Sequence, residues 1–157
     1  MLRFQWLPDR DESPKHFFSC QEKKEIVTAI EALEKKTSAE LRVHIGVHNK
    51  GISVFDQAKR EFENLGMTAT REKNGVLIFI CSNRHEFAIL GDSGIDQKVP
   101  QGFWQLISEK MAEYFHQGRL AEGVCMGIAL AGEELQTYFP VRPDGRNELP
   151  NAVSHSE

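Results

Sequence analysis

Val76-Leu77-Ile78-Phe79-Ile80-Cys81 is the stretch that decides the fold. A continuous apolar run this short, rich in β-branched and aromatic side chains, reads as a strand buried on both faces. The preceding Asn74-Gly75 is a turn signal. Behind the run, Ser82-Asn83-Arg84 reads as a short hairpin loop, and Glu86-Phe87-Ala88-Ile89-Leu90 returns as the next strand. A strand apolar on both sides needs helices above and below it.

Working outward, Ser19 and Glu22 have capping-box spacing and predict a helix start. Ile26, Ile30 and Leu33 continue it at helical spacing, and Lys35 and Lys36 are expected in its last turn, where cations suit the helix dipole. Leu41, Val43, Ile45 and Val47 then alternate with Arg42, His44, Gly46 and His48, the period of a strand. After Asn49-Lys50-Gly51, Ser53 caps a second helix with Val54, Phe55, Ala58, Phe62 and Leu65 on one face and Gly66 as its stop. Downstream of the hairpin, Phe103, Trp104, Ile107, Met111, Tyr114 and Phe115 make an aromatic helix face. A last helix carries Leu120, Val124, Ile128, Leu135 and Tyr138, with Gly123, Gly127 and Ala131 forming a smooth side expected to pack on the sheet.

The order α-β-α-β-β-α-α predicts an α/β fold, a three-layer α/β/α sandwich around a small mixed sheet. Its crossover is right-handed and parallel, and its hairpin is antiparallel. Residues 1–18 form an N-terminal extension, residues 19–139 the domain, and residues 140–157 an extended tail marked by Pro140, Pro143, Gly145 and Pro150. Two states of the tail stay open, loose or strapped onto the body.

A chain of 157 residues makes one domain with a sizeable core. Its net charge of -4 argues against nucleic acid. Cys20, Cys81 and Cys125 are odd in number and lack C-x-x-C spacing, so they are expected as reduced thiols acting as small hydrophobes. Leu2, Phe4, Trp6 and Leu7 are interrupted by Arg3 and Gln5 and do not make a secretory segment. No apolar stretch approaches the roughly 20 residues of a membrane span. A cytoplasmic protein without membrane insertion is the expectation.

Several chemistries fail on spacing. There is no Walker A loop, no G-x-G-x-x-G and no G-x-S-x-G. The positions where a cysteine phosphatase needs Arg hold Ile26, Phe87 and Ala131, and Gly94 stands where a D-x-D phosphatase needs its second Asp. Arg84-His85 lacks the following Gly of histidine phosphatases. His44 and His48 share a strand face, but four strand residues span roughly 13 Å, too far to chelate one ion. Gly91-Asp92-Ser93-Gly94-Ile95-Asp96 is the best candidate site, because it follows a strand, where open α/β sheets tend to place ligands. Asp92 and Asp96 are hard oxygen donors for Ca²⁺ or Mg²⁺, Ser93 adds a hydroxyl, and Glu72 and Asn74 precede the neighbouring strand. The competing reading is turn chemistry, with Gly91 and Gly94 shaping the loop and Asp92 capping a helical turn.

Arg71-Glu72-Lys73-Asn74-Gly75-Val76-Leu77-Ile78 and Ala88-Ile89-Leu90-Gly91-Asp92-Ser93-Gly94-Ile95 resemble the TPM domain. Thr37-Ser38-Ala39-Glu40-Leu41 and Phe103-Trp104 share the resemblance, which runs over residues 19–139. The tail from Phe139-Pro140 to Asn151 is similar to that of a short bacterial subgroup. The family includes thylakoid acid-phosphatase-like proteins and photosystem II repair factors. The resemblance implies a helix–sheet–helix sandwich, divalent-cation binding and, for some members, phosphatase activity. The matching positions are Asn74, Gly91, Asp92 and Asp96. Many relatives carry a signal peptide and a membrane anchor, and neither is expected here.

The leading expectation is a binding or accessory module with a metal site of Asp92, Asp96, Asn74, Ser93 and Gly91, taking Ca²⁺ or Mg²⁺ and no organic cofactor. The alternatives are a metal-assisted phosphatase acting on phosphate monoesters, with Glu40 or Glu72 as base, and a pure protein-interaction module using the aromatic helix or the tail.

Overall fold

The structure is a computed structural model describing residues 2–3, 10–145 and 147–156. Phe4, Trp6 and Leu7 of the extension lie outside the described residues. The elements are β1 (Leu2–Arg3), α1 (Cys20–Glu34), β2 (Glu40–Gly46), α2 (Val54–Asn64), a 3₁₀ turn (Met67–Ala69), β3 (Gly75–Cys81), β4 (Glu86–Gly91), α3 (Ser93–Asp96), α4 (Phe103–His116), α5 (Leu120–Tyr138) and β5 (Ser154–His155).

The deciding stretch is the central strand β3, buried at every position. It runs parallel to β2, with Val43 opposite Ile78, and antiparallel to β4, with Ile78 opposite Ile89. The sheet order is β1-β4-β3-β2-β5. The two outer strands come from the extension and the tail, which the sequence pattern had not resolved into strands. The tail is strapped on: β5 pairs parallel with β2, and Leu149 is buried.

Alternation along β3 divides the core in two, as the predicted three layers require. Val76, Ile78 and Ile80 join Leu41, Val43 and Ile45 in a core filled by α1, α4 and α5. Leu77, Phe79 and Cys81 join Val54, Ala58 and Phe62 of α2, together with Met67 and Leu149, in a smaller core on the opposite face.

Local chemistry explains the boundaries. Ser19 forms the predicted capping box with Glu22. α1 ends at Glu34, so Lys35 is its C-cap and Lys36 lies beyond, neither in the last turn. β2 stops at Gly46 rather than His48, because side chains take over the hydrogen bonding: Gln57 Nε2 donates to Val47 O, and the His48 N–H donates to Asn83 Oδ1. Gly66 stops α2 at φ 71°, as expected of a left-handed position. The turn before β3 falls at Lys73, with φ 52°, while Asn74 is buried and Gly75 already belongs to the strand.

Two packing expectations change. Phe55 is exposed under Lys59, and Gln57 is the buried residue of that turn of α2. The smooth side of α5 meets α4 rather than the sheet: a Cβ on Gly127 would lie 2.4 Å from Met111 Sδ, and one on Gly123 2.6 Å from Phe115 Cε1. The aromatic face of α4 is core at Phe103, Ile107, Met111 and Phe115, with Trp104 and Tyr114 half-buried.

Candidate functional site

The glycine-punctuated loop leaves β4 at the end of the sheet where β2 and β3 begin. The antiparallel hairpin puts it there, with Gly91 opposite Val76 and the Asp92 N–H donating to Gly75 O at 2.9 Å. The carboxyl-end rule for parallel strands therefore does not place this site. What places it is the joint of β4 with α3 against the start of β3.

Close packing shapes the joint. The Gly94 N–H donates to Lys73 O at 2.9 Å, and a Cβ on Gly94 would sit 2.2 Å from Glu72 O, so only glycine fits. A Cβ on Gly91 would lie 2.9 Å from the Trp104 ring. Asp92 is the N-cap of α3, its Oδ1 accepting from the Ser93 N–H at 2.7 Å. The capping reading of Asp92 is therefore satisfied by one oxygen. Its Oδ2 is buried without a hydrogen-bond partner. Asp96 is exposed, and its carboxyl is raised above the ordinary range by desolvation first and then by the charge of Asp92. Ser93 is exposed beside it.

Asn74 lies one residue before Gly75, with its side chain buried. Its Nδ2 donates to Ser38 Oγ at 3.3 Å and reaches Glu72 Oε2 at 3.5 Å, while its Oδ1 has no partner. Ser38 Oγ donates to Glu72 Oε2 at 2.8 Å. A polar group buried without a partner is costly, and Asp92 Oδ2 and Asn74 Oδ1 are both left so at this joint. The donor set is two carboxylates, a neutral amide oxygen and a hydroxyl, which suits a hard divalent ion with water completing the shell. Among the described residues no group of three His, Cys, Asp or Glu gathers to hold a metal. A cleft of about 370 Å³ lies beside Asp96, walled by Val99, Pro100, Phe103 and Trp104.

The chain matches the family model described as TPM domain over residues 12–134. It belongs to the TPM domain family. It is similar to the BA42 protein of the psychrophilic bacterium Bizionia argentinensis, at 39% identity and a TM-score of 0.85, covering 93% of this chain and 100% of that one. Two solution structures share the fold. The N-terminal domain of a Porphyromonas gingivalis protein is 16% identical with a TM-score of 0.64, covering 88% of this chain and 96% of that one. The N-terminal domain of the cg2496 protein of Corynebacterium glutamicum is 10% identical with a TM-score of 0.61, covering 100% and 95%. No curated protein matches.

Within this TPM domain the two carboxylates considered as bases part company. Glu72 joins Ser38 and Asn74. Glu40 is occupied elsewhere, accepting the Glu148 N–H at 2.6 Å and the Leu149 N–H at 3.2 Å. His44 and His48 do not meet on an ion: His44 lies against Ser154 and Ser156, and His48 Nε2 against Ile52 O. Burial first pushes the thiols of Cys81 and Cys125 up to about 11, which favours the protonated thiol at neutral pH, while Cys20 is exposed rather than hydrophobic filling. Ser38 was the polar neighbour that spacing did not reveal, since it lies 36 residues from Asn74. Among the described residues no helix is long and apolar enough to cross a membrane.

Proposed function

We propose that this TPM domain is a binding or accessory module that takes Ca²⁺ or Mg²⁺ at the joint of β4 and α3. The observation that carries the reading is the pair of buried, unpartnered oxygens, Asp92 Oδ2 and Asn74 Oδ1, flanking Gly75. Asp92 and Asp96 would supply charge, Asn74 a neutral oxygen, and Ser93 and the Gly91 backbone the remaining protein donors. The ion would neutralise the repulsion between Asp92 and Asp96. A site with two carboxylates and an exposed rim is a weak one, suited to a cation shared with a partner or ligand.

Titration with Ca²⁺ and with Mg²⁺, followed by backbone amide shifts in wild type and Asp92→Asn, tests this. Saturable shifts at residues 91–96 and at Asn74, lost in the variant, are expected. Unmoved amides under both ions would sink the cation site and leave the loop as turn chemistry.

A metal-assisted phosphatase is the second reading, favoured by the Glu72 carboxylate beside Asn74. An ion there would polarise a phosphoryl oxygen while Glu72 takes a proton from water. It requires Mg²⁺-dependent hydrolysis of a phosphate monoester, abolished by both Asp92→Asn and Glu72→Gln. Turnover that survives Asp92→Asn contradicts it.

A further inference from the structure

The strap that closes the sheet is held by a buried histidine. Ser154–His155 pairs with His44–Ile45, and the Ser156 N–H donates to Ile45 O at 2.9 Å. Between these backbone contacts the His44 ring meets the strap with both nitrogens, Nδ1 at 2.7 Å from Ser154 Oγ and Nε2 at 2.8 Å from Ser156 Oγ. The ring stacks on Phe79 of β3, and its side chain is 4% exposed.

Burial and the charges around the ring set its protonation. Arg42, two residues away on β2, is buried, and its Nε has no hydrogen-bond partner among the described residues. His155, paired with Ile45 on the opposite face of the strap, acts on the ring only through its charge, while Glu61 of α2 faces it with Oε2 at 3.3 Å from Nε2. Glu40 lies on the same strand face, engaged by the strap backbone. The two serine hydroxyls could accept from an imidazolium as readily as they bond a neutral ring. What disfavours the proton is burial first and then the neighbouring Arg42 charge.

We propose that the C-terminal strap is an acid-sensitive latch, in which proton uptake by His44 releases residues 153–156 from the edge of β2. The direction follows from linkage. Closed, burial first, then Arg42 and His155, push His44 down to about 4. Open, the ring regains water and keeps Glu61 as a partner, so it returns toward its ordinary 6.5. The open form binds more protons between those values, so the closed-to-open ratio falls as pH drops, by about five- to sevenfold per pH unit. Three carboxyls act in the opposite sense. Burial raises Glu61, Glu34 and Glu40, so their protonation favours the closed form. Loosening is therefore steepest between the ordinary imidazole and carboxylate ranges. Release bares the hydrogen-bonding edge of β2, a surface that can accept an added strand.

Two NMR measurements on the full chain between pH 7.5 and 5.0 test the latch. The His44 ring should titrate well below 6.5. Protection of the Ser156 amide, corrected for intrinsic exchange, should fall about fivefold between pH 6.5 and 5.5. His44→Asn keeps a neutral polar ring substitute and should remove that pH dependence. If His44→Asn does not fold, Ser154→Ala combined with Ser156→Ala keeps the test alive, since loss of the latch should move His44 up toward 6.5. A wild-type ring titrating at its ordinary value, pH-independent protection of Ser156, or equal acid loosening in His44→Asn would each overturn the proposal.

Discussion

On one side of β2, Leu41, Val43 and Ile45 enter a core shared with α1, α4 and α5; on the other side of the same strand, Glu40, Arg42 and His44 lie just as deep under α2 and the tail. All seven residues of the strand are buried, yet one face is held by apolar contact and the other by hydrogen bonds and charge. Apolar burial stabilises without regard to direction or pH. A buried polar row stabilises only while each partner is present and in the right protonation state. The first face should therefore govern whether the domain folds, and the second whether the tail stays attached.

The largest effect that would sharpen this contrast comes from the first face. Phe115 is fully buried and meets Phe87 edge-on at 5.0 Å between centroids. Phe115→Ala should cost about 3–5 kcal/mol of global stability, for lost transfer free energy and the cavity left behind. Urea unfolding measures it. A loss below about 1 kcal/mol would mean that α4 collapses onto the sheet and that this face is less tightly packed than its geometry indicates.

On the second face, Glu40→Ala should cost less and act more locally. It leaves the Glu148 and Leu149 amides without their acceptor, a penalty of about 1–3 kcal/mol. Exchange should speed up at residues 148–156 and stay slow in β3. If β3 loosens in parallel, the tail and body form one cooperative unit, and the division between faces fails. This part of the molecule was the least legible in the sequence. Alternation identified β2, and the apolar run identified β3, because each pattern states which faces are covered. Neither states by what. Arg42 and His44 fit a solvent face as well as a buried one, and only the tail, 110 residues from His44 to Ser154, decides between them. The candidate site divides in the same way. The Gly91–Asp96 loop stood out because its glycines and carboxylates are contiguous. Ser38 stayed invisible because the parallel pairing of β2 with β3 brings it to Asn74. Packing also reassigned Gly123 and Gly127, since small residues announce a close approach without naming the partner.

The smallest expected effect separates the faces by pH. At the start of α1, Glu22 closes the capping box with Ser19, its Oε1 accepting the Ser19 N–H at 2.9 Å, and both its oxygens accept from Arg10. Desolvation raises this carboxyl, but the hydrogen bonds from Arg10 and Ser19 outweigh it, so the net shift is downward. A carboxylate lowered on folding contributes stability that is full above its unfolded value of 4.5 and is lost as pH falls through the folded value. His44 has the same sign in a higher window, with stability draining away as pH falls from 6.5 toward about 4. Near pH 5.5 the α1 cap should therefore be intact while the strap is already weakened. Glu22→Gln keeps the reciprocal cap bond but loses the charge toward Arg10, and should cost about 0.5–1 kcal/mol at pH 7. That difference should be unchanged at pH 5.5 and shrink below pH 4, read by urea midpoints across the series. A difference that shrinks already between pH 7 and 5.5 would mean that Glu22 titrates with the polar face, and acid would no longer distinguish the two sides of the sheet.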